Sequence, residues 1–267
     1  MPTLPRALRF LFLATLAAPA AARAQAEAPK PIQDNSFLVE EAYNQEPGVV
    51  QHIGTWERPT DGGAWAFGFT QEWPLGSLRH QLSYTLPVDH AAGETTLGQV
   101  MLNYRYQWIG SGDARVAVSP RLSAILPTGP EEAQGDRWGA QANLPVSVQL
   151  APRWVAHTNL GATWLPRDGS VMEGSAEVNL DFGQSVIWLL HPRVNLLLEL
   201  AGSTEEDDGG DAFNARLSPG VRFALDGPGG VQVVPGIALP IGIGPSNGQR
   251  ELFLYLSLEH AFTRAAR

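Results

Sequence analysis

The chain of 267 residues carries 18 basic and 27 acidic side chains and no cysteine, so it lacks the basic surface that nucleic-acid phosphates require, and no disulfide staples it. Beyond the first two dozen residues it has no run of about 18 uncharged apolar residues, which excludes a membrane-spanning helix. A spanning barrel stays open, because its wall needs only every second residue apolar.

Residues 1–24 read as a secretory signal peptide. Arg6 and Arg9 precede the apolar run FLFLATLAA, and Ala22 and Ala24 have the small-residue spacing of a signal-peptidase site; the run is too short to cross a bilayer as a helix. Cleavage after Ala24 leaves 243 residues with 15 basic against 27 acidic side chains, a net −12.

Residues 25–48 form an N-terminal segment ahead of the first strand. Its stretch NSFLVEEAYN has the makings of one or two helical turns, with Asn35 or Ser36 as N-cap, Glu40 and Glu41 near the positive end, and Pro47 and Gly48 as the stop. Two uses remain open: a plug or gate tucked into a barrel, or a periplasmic lead-in packed under its rim.

From 49 to 262 the sequence alternates with period two. Val100, Leu102, Tyr104, Tyr106 and Trp108 share one parity, and Gln99, Asn103, Arg105 and Gln107 the other. The pattern repeats with Val116, Val118, Leu122 and Ala124 opposite Arg115, Ser119, Arg121 and Ser123, and again with Leu144, Val146, Val148 and Leu150 opposite Gln141, Asn143, Ser147 and Gln149. The last segment sets Leu252, Leu254, Leu256, Leu258 and Phe262 against Glu251, Tyr255, Ser257 and Glu259. About twelve such segments follow one another, roughly 49–57, 64–73, 79–88, 96–109, 114–126, 138–150, 153–165, 174–190, 193–203, 212–225, 231–243 and 250–262. Most have the length of a tilted strand crossing a bilayer.

Connectors after even-numbered segments are tight (PLGSL, AP, HP), whereas those after odd-numbered ones are longer and polar (DHAAGET, PEEAQGD, TEEDDGGD). Trp56, Trp65, Trp138 and Trp164 fall near one end of their segments and Trp73, Trp108, Trp154 and Trp188 near the other, as two interface girdles would require. The expected fold is all-β: a closed, antiparallel, up-and-down transmembrane barrel of about twelve strands over 49–262, with short periplasmic turns, longer extracellular loops and a tail at 263–267. A secreted β-sandwich is the competing fold, but it would use shorter strands and no girdles.

Two stretches carry a family resemblance. PIQDNSFLVEEAYNQEPGVVQHI (31–53) and LSAILPTG (122–129) resemble the outer-membrane barrels grouped as phenol-degradation meta-pathway (MetA-pathway) proteins, often labelled simply as transporters. The resemblance spans essentially the mature chain. It implies a barrel, a transport role and passage of aromatic compounds, without assigning a binding residue.

Parity sends Arg105, Arg115, Arg121, Arg216 and Arg222 into the lumen with Glu72, Glu177, Asp181, Glu199, Glu251 and Glu259. Buried charges must pair or be separated by water, so the lumen is either filled or a pore. Most of the acids sit on segments eight, nine and twelve, away from Arg105 and Arg121, a layout that would set a field across the lumen. His157 and Asn159, two apart and both inward, form a His and polar-partner pair with no serine tied to it by any local signature; no catalytic residue is assigned. His52, His80, His90, His191 and His260 lie on scattered faces, giving no metal-ligand spacing. No cofactor is called for. The partners expected are outer-membrane lipid, lipopolysaccharide facing the acidic loops, and a small solute passing by diffusion. A structural or adhesion barrel with a filled lumen is the alternative.

Overall fold

The structure, a computed structural model, describes residues 32, 36–111, 114–131, 136–166, 176–207 and 210–262. Residues 1–24, where the signal peptide is expected, and the 263–267 tail lie outside the described residues, as does most of the acidic connector, at 132–135.

Twelve walls close into one antiparallel barrel. They are β1 (Val49–Pro59), β2 (Trp65–Pro74), β3 (His80–Ala91), β4 in two pieces (Glu94–Leu97 and Met101–Tyr106) and β5 in two pieces (Val116–Val118 and Arg121–Ile125). Then come β6 (Gly139–Ala151), β7 (Trp154–Pro166), β8 (Ala176–His191), β9 (Val194–Asp207) and β10 (Gly210–Phe223). The last two are β11, again in two pieces (Gln232–Ala238 and Ile241–Ile243), and β12 (Glu251–Ala261). Each wall pairs with its sequence neighbours, and β1 pairs with β12 from Val49↔Ala261 to Pro59↔Glu251. Closure leaves no sheet edge, which hydrocarbon could not satisfy.

Alternation decides the two faces. On β12, Leu254, Leu256 and Leu258 are 36–53% exposed on the outer face, whereas Phe253, Tyr255 and Ser257 are at most 3% exposed inside. A charge at mid-bilayer on the outer face costs about 2 to 4 kcal/mol, which is why that parity is leucine.

Prolines account for the three broken walls, two of which hold a proline in the break itself, at Pro120 and Pro240. Each faces a proline on its neighbour, which has no N–H to give the ladder. Gly98 donates across the β4 break to the Pro87 carbonyl (2.9 Å), Ser119 across the β5 break to Pro145 (3.1 Å), and Leu239 across the β11 break to Pro219 (3.1 Å). On the opposite side of the breaks Val100, Pro120 and Pro240 accept from Leu126, Tyr106 and Glu251 (2.8, 3.0 and 2.9 Å), and each wall resumes beyond.

One end, here the turn end, holds the two-residue connectors 152–153 and 192–193 and the longer 75–79, 107–115 and 224–231, together with both chain termini of the barrel. At the other, loop end, two connectors differ from the expectation of irregular polar loops. β3 and β4 run on to Ala91 and Glu94, turning through Ala92 (φ 53) and Gly93 (φ 86). The acidic stretch 204–211 is likewise mostly ladder, paired from Thr204↔Phe213 to Asp207↔Gly210.

Candidate functional site

The N-terminal segment lies inside the barrel. Its backbone is irregular rather than helical, because the N–H groups that a helix would use internally are taken by side chains of the wall. Leu38 and Val39 donate to Glu199 Oε1 (3.1 and 3.3 Å), Glu40 N–H to Asn159 Oδ1 (2.7 Å), and Ala42 N–H to Ser147 Oγ (2.7 Å). Asn44 N–H donates to Gln107 Oε1 (3.0 Å) and Gln45 N–H to Gln81 Oε1 (2.7 Å). The carbonyls are met in the same way. Arg105 donates to those of Glu41 (3.1 Å) and Tyr43 (2.9 Å) and to Asn44 Oδ1 (3.0 Å). Gln107 and Ser119 both donate to the Ala42 carbonyl, and Arg222 donates to that of Ile32 (3.2 Å). The described residues of the segment therefore run from β10, at Ile32, to β3, at Gln45.

Apolar anchors complete the seat. The Phe37 ring packs against Phe253 and Tyr255, with centroids 5.7 and 5.3 Å apart. Two inward glycines make room for it, since a Cβ at Gly220 or Gly236 would stand 2.6 or 2.4 Å from that ring; a Cβ at Gly183 would meet Val39 at 2.9 Å. Tyr43 donates its phenol to the Ala114 carbonyl (3.2 Å), and burial, reinforced by Glu41, pushes that phenol up to about 12.

Beyond the segment the lumen opens toward the loop end. A cavity of about 440 Å³ has Leu38 and Glu40 at its floor and Arg121, Asn143, Asn159, Asp181, Arg216 and Glu251 on its sides. The β11–β12 connector dips into its mouth, where Ser246 Oγ accepts from Ala215 N–H (3.3 Å) and donates to Asn214 Oδ1 (3.1 Å).

The inward charges named from the sequence divide between these two regions. Arg105 is buried 3.7 Å from Glu72, and Arg222, Glu199 and His157 are buried around the segment. Arg121 pairs with Glu40 at 2.8 Å; Arg216 pairs with Glu57 and, at 2.8 Å, with Glu251. Glu177 accepts from Asn179 (2.8 Å), Asp181 from Thr163 (3.4 Å), and Glu259 is half-buried opposite Gln51. The field expected across the lumen is thus compensated locally: the segment brings Glu40 to Arg121, and β12 brings Glu251 to Arg216. Arg115 is exposed at the turn end, donating to the Gln149 carbonyl, and does not enter the lumen as expected.

His157 does find a serine, from the neighbouring wall. Its Nδ1 is 2.7 Å from Ser147 Oγ, but that oxygen also accepts the Ala42 N–H, and both side chains are at most 1% exposed. Asn159 grips Glu40 instead, its Nδ2 donating to the Glu40 carbonyl (2.8 Å). This arrangement seats a peptide and leaves an acyl substrate no way in. Ser147, Gln107, Gln81 and Ser119, which hold so much of the segment, were marked in the sequence only by inward parity.

The eight tryptophans lie on the outward parity near wall ends, and Trp154 stacks on Trp188 at 5.8 Å. Among the other histidines, His52 Nε2 is 3.2 Å from His260 Nε2 on the outer face. Among the described residues no group of three or more His, Asp or Glu could hold a metal ion.

A family model described as "Putative MetA-pathway of phenol degradation" matches residues 29–186, more than half of the chain, including the lumenal segment. Among solved structures, the COG4313 outer membrane channel from Pseudomonas putida F1 aligns with a TM-score of 0.59 at 13% identity, over 83% of this chain and 98% of that one. The NanC porin aligns at 0.53 with 9% identity, over 80% and 100%, and the KdgM porin at 0.52 with 8% identity, over 80% and 99%. At such identities the likeness is one of fold: these are outer-membrane channels. No curated protein matches the chain in sequence.

Proposed function

We propose, from the premise that this chain belongs to the MetA-pathway family of phenol degradation, that it is an outer-membrane channel passing small aromatic or weakly polar solutes by diffusion, with residues 36–46 as its gate. In this reading the turn end faces the periplasm and the loop end the outside, where acidic hairpins meet cation-bridged lipopolysaccharide. The tryptophans mark the two interfaces. The reading assigns no chemistry, since the Ser147–His157 pair is occupied by the segment.

The observation that carries it is the division of the lumen. A polar cavity of about 440 Å³ lies on the loop-end side of the segment, and its floor is chain held by hydrogen bonds to the wall. Such bonds exchange with water at a net cost of only about 0.5 to 1.5 kcal/mol each, so a floor of this kind is removable in a way that packed strands are not.

Gly236→Leu tests it, because the new side chain takes the place of the Phe37 ring. The variant should fold, as read by heat-modifiable gel mobility, expose residues 25–48 to protease, and conduct severalfold more than the parent in planar bilayers. A folded, protease-exposed variant that conducts no better would instead favour a structural barrel.

A further inference from the structure

We infer that Arg121 is a carboxylate receptor built into the wall, that Glu40 occupies it in the closed channel, and that a small organic monocarboxylate entering from the loop end displaces Glu40 and releases the segment. The inference rests on the channel reading above and names a solute class and a trigger for it.

The Arg121 guanidinium is held by three walls. Its Nη1 donates to Asn103 Oδ1 on β4 (2.9 Å) and to Ser123 Oγ on β5 (2.7 Å), and its Nη2 to Gln141 Oε1 on β6 (2.8 Å). These neutral acceptors orient the plane without cancelling the charge. What they leave is the Nε/Nη2 edge, the fork that fits a carboxylate in two-point contact, and both Glu40 oxygens sit on it, at 3.1 and 2.8 Å.

Other inward arginines are used differently. Arg216 pairs with Glu57 and Glu251, which belong to the wall and stay with it. Arg105 donates chiefly to backbone carbonyls of the segment and lies buried beneath it. At Arg121 the carboxylate comes from the movable part of the molecule, and it is reachable: the Glu40 side chain is 31% exposed on the cavity floor. Glu40 therefore stands where a solute carboxylate would bind.

The cavity also limits the ligand. Asp181 lines it and the Arg216 guanidinium there is already paired with Glu57 and Glu251, so a second negative charge on the solute is disfavoured, whereas Leu38, Ala201 and Ala215 give its hydrocarbon apolar surface. One carboxylate on a small, largely apolar body fits both conditions. Exchanging one carboxylate for another keeps the Arg121 fork satisfied while freeing the residue that Asn159 grips at both its N–H and its carbonyl. Because the solute binds Arg121 only when Glu40 has left, it favours the released state, as any ligand selective for one conformer must.

The test uses the full-length protein in planar bilayers with benzoate on the loop-end side, against benzamide, which has the same shape without the charge. Benzoate should raise open probability about fivefold or more, within the usual range of coupling between sites, and benzamide should not. Arg121→Gln should abolish the response, Arg121→Lys, which keeps the charge but not the fork, should weaken it, and Glu40→Gln should open the channel without benzoate. Calorimetry on purified protein gives a second readout, in which Glu40→Gln binds benzoate more tightly than the parent and Arg121→Gln does not bind it. Equal effects of benzoate and benzamide, or a benzoate response that survives Arg121→Gln, would overturn the inference. If Gly236→Leu conducts while benzoate does nothing to the parent, the channel stands and only the carboxylate trigger falls; if Gly236→Leu is silent as well, the channel reading itself falls.

Discussion

Toward the turn end, inward side chains of β3 to β9 give their polar atoms to the backbone of residues 36–46. Toward the loop end, the same parity on the same walls bonds chiefly within the wall: Gln141 donates to Thr163 (2.8 Å), and Thr163 to Asp181 (3.4 Å), while Arg121 reaches down to Glu40 of the segment. Composition hardly differs between the two halves, since both are rich in Asn, Gln, Ser and acids. What differs is whether a second chain segment is present to accept those groups. A polar barrel interior is thus neither filled nor open by its own residues, and the occupant decides.

The largest expected effect separates occupant from wall. Phe37→Ala removes the ring seated between Phe253 and Tyr255 and should weaken docking of the segment by about 3 to 5 kcal/mol, as large-to-small changes at buried aromatics do. Limited proteolysis of residues 36–46 should report the loss while the urea midpoint of the barrel stays put. A midpoint that falls with it would mean that the two halves are one cooperative unit.

Next comes a contrast within the open half. Leu144→Arg places a charge on the lipid face and should cost roughly 2 to 4 kcal/mol of folding in lipid, whereas Asn143→Arg, one residue away on the cavity side, should cost far less. Urea titration of refolded barrels measures both, and equal losses would break the assignment of faces. Ser147→Arg is no substitute for Asn143→Arg, because Ser147 is fully buried under Ala42.

The smallest effect compares single polar groups across the divide. Arg105→Gln strands acceptors of the segment and should weaken its docking by about 1 to 3 kcal/mol, whereas Gln141→Ala in the open half should change stability by no more than about 0.5 kcal/mol. Hydrogen exchange at residues 38–45 resolves the first, and urea titration the second.

Twelve walls and their faces were legible in the sequence because hydrocarbon strongly favours apolar residues on one parity, and that demand leaves a period-two trace from Val100 to Phe262. The trace fades where a wall leaves the lipid. Thr204–Asp207 carries no apolar parity, so its ladder looked like a loop, and Arg115 lies past the turn-end rim, so its parity no longer implied a lumen. Pro87, Pro145 and Pro219 were plain in the sequence, as were Pro120 and Pro240 inside two of the breaks, but which stretch of the neighbouring wall each of the first three faces only register reveals. The lumenal segment had no periodicity to read. Its charges and caps suggested a helix, and most of its actual partners are distant in sequence, from Gln81, 36 residues from Gln45, to Arg222, 190 from Ile32.

Those separations also set an order of assembly. Every wall bond can form with residues 36–46 undocked, since the ladders run from backbone to backbone between neighbours. The reverse does not hold: Leu38 has no Glu199, Ala42 no Ser147 and Ile32 no Arg222 until nearly the whole wall stands. Contacts of such long span form late, when the loop they close is already confined by other structure. The segment meanwhile waits at the turn end, tied by Gly48 (φ 84) to the first residue of β1, where the Gly48 carbonyl accepts the Phe262 N–H at the closing seam (2.8 Å). Each newly closed barrel is therefore open before it is plugged, and a chain stalled before its tenth strand has nowhere to dock Ile32.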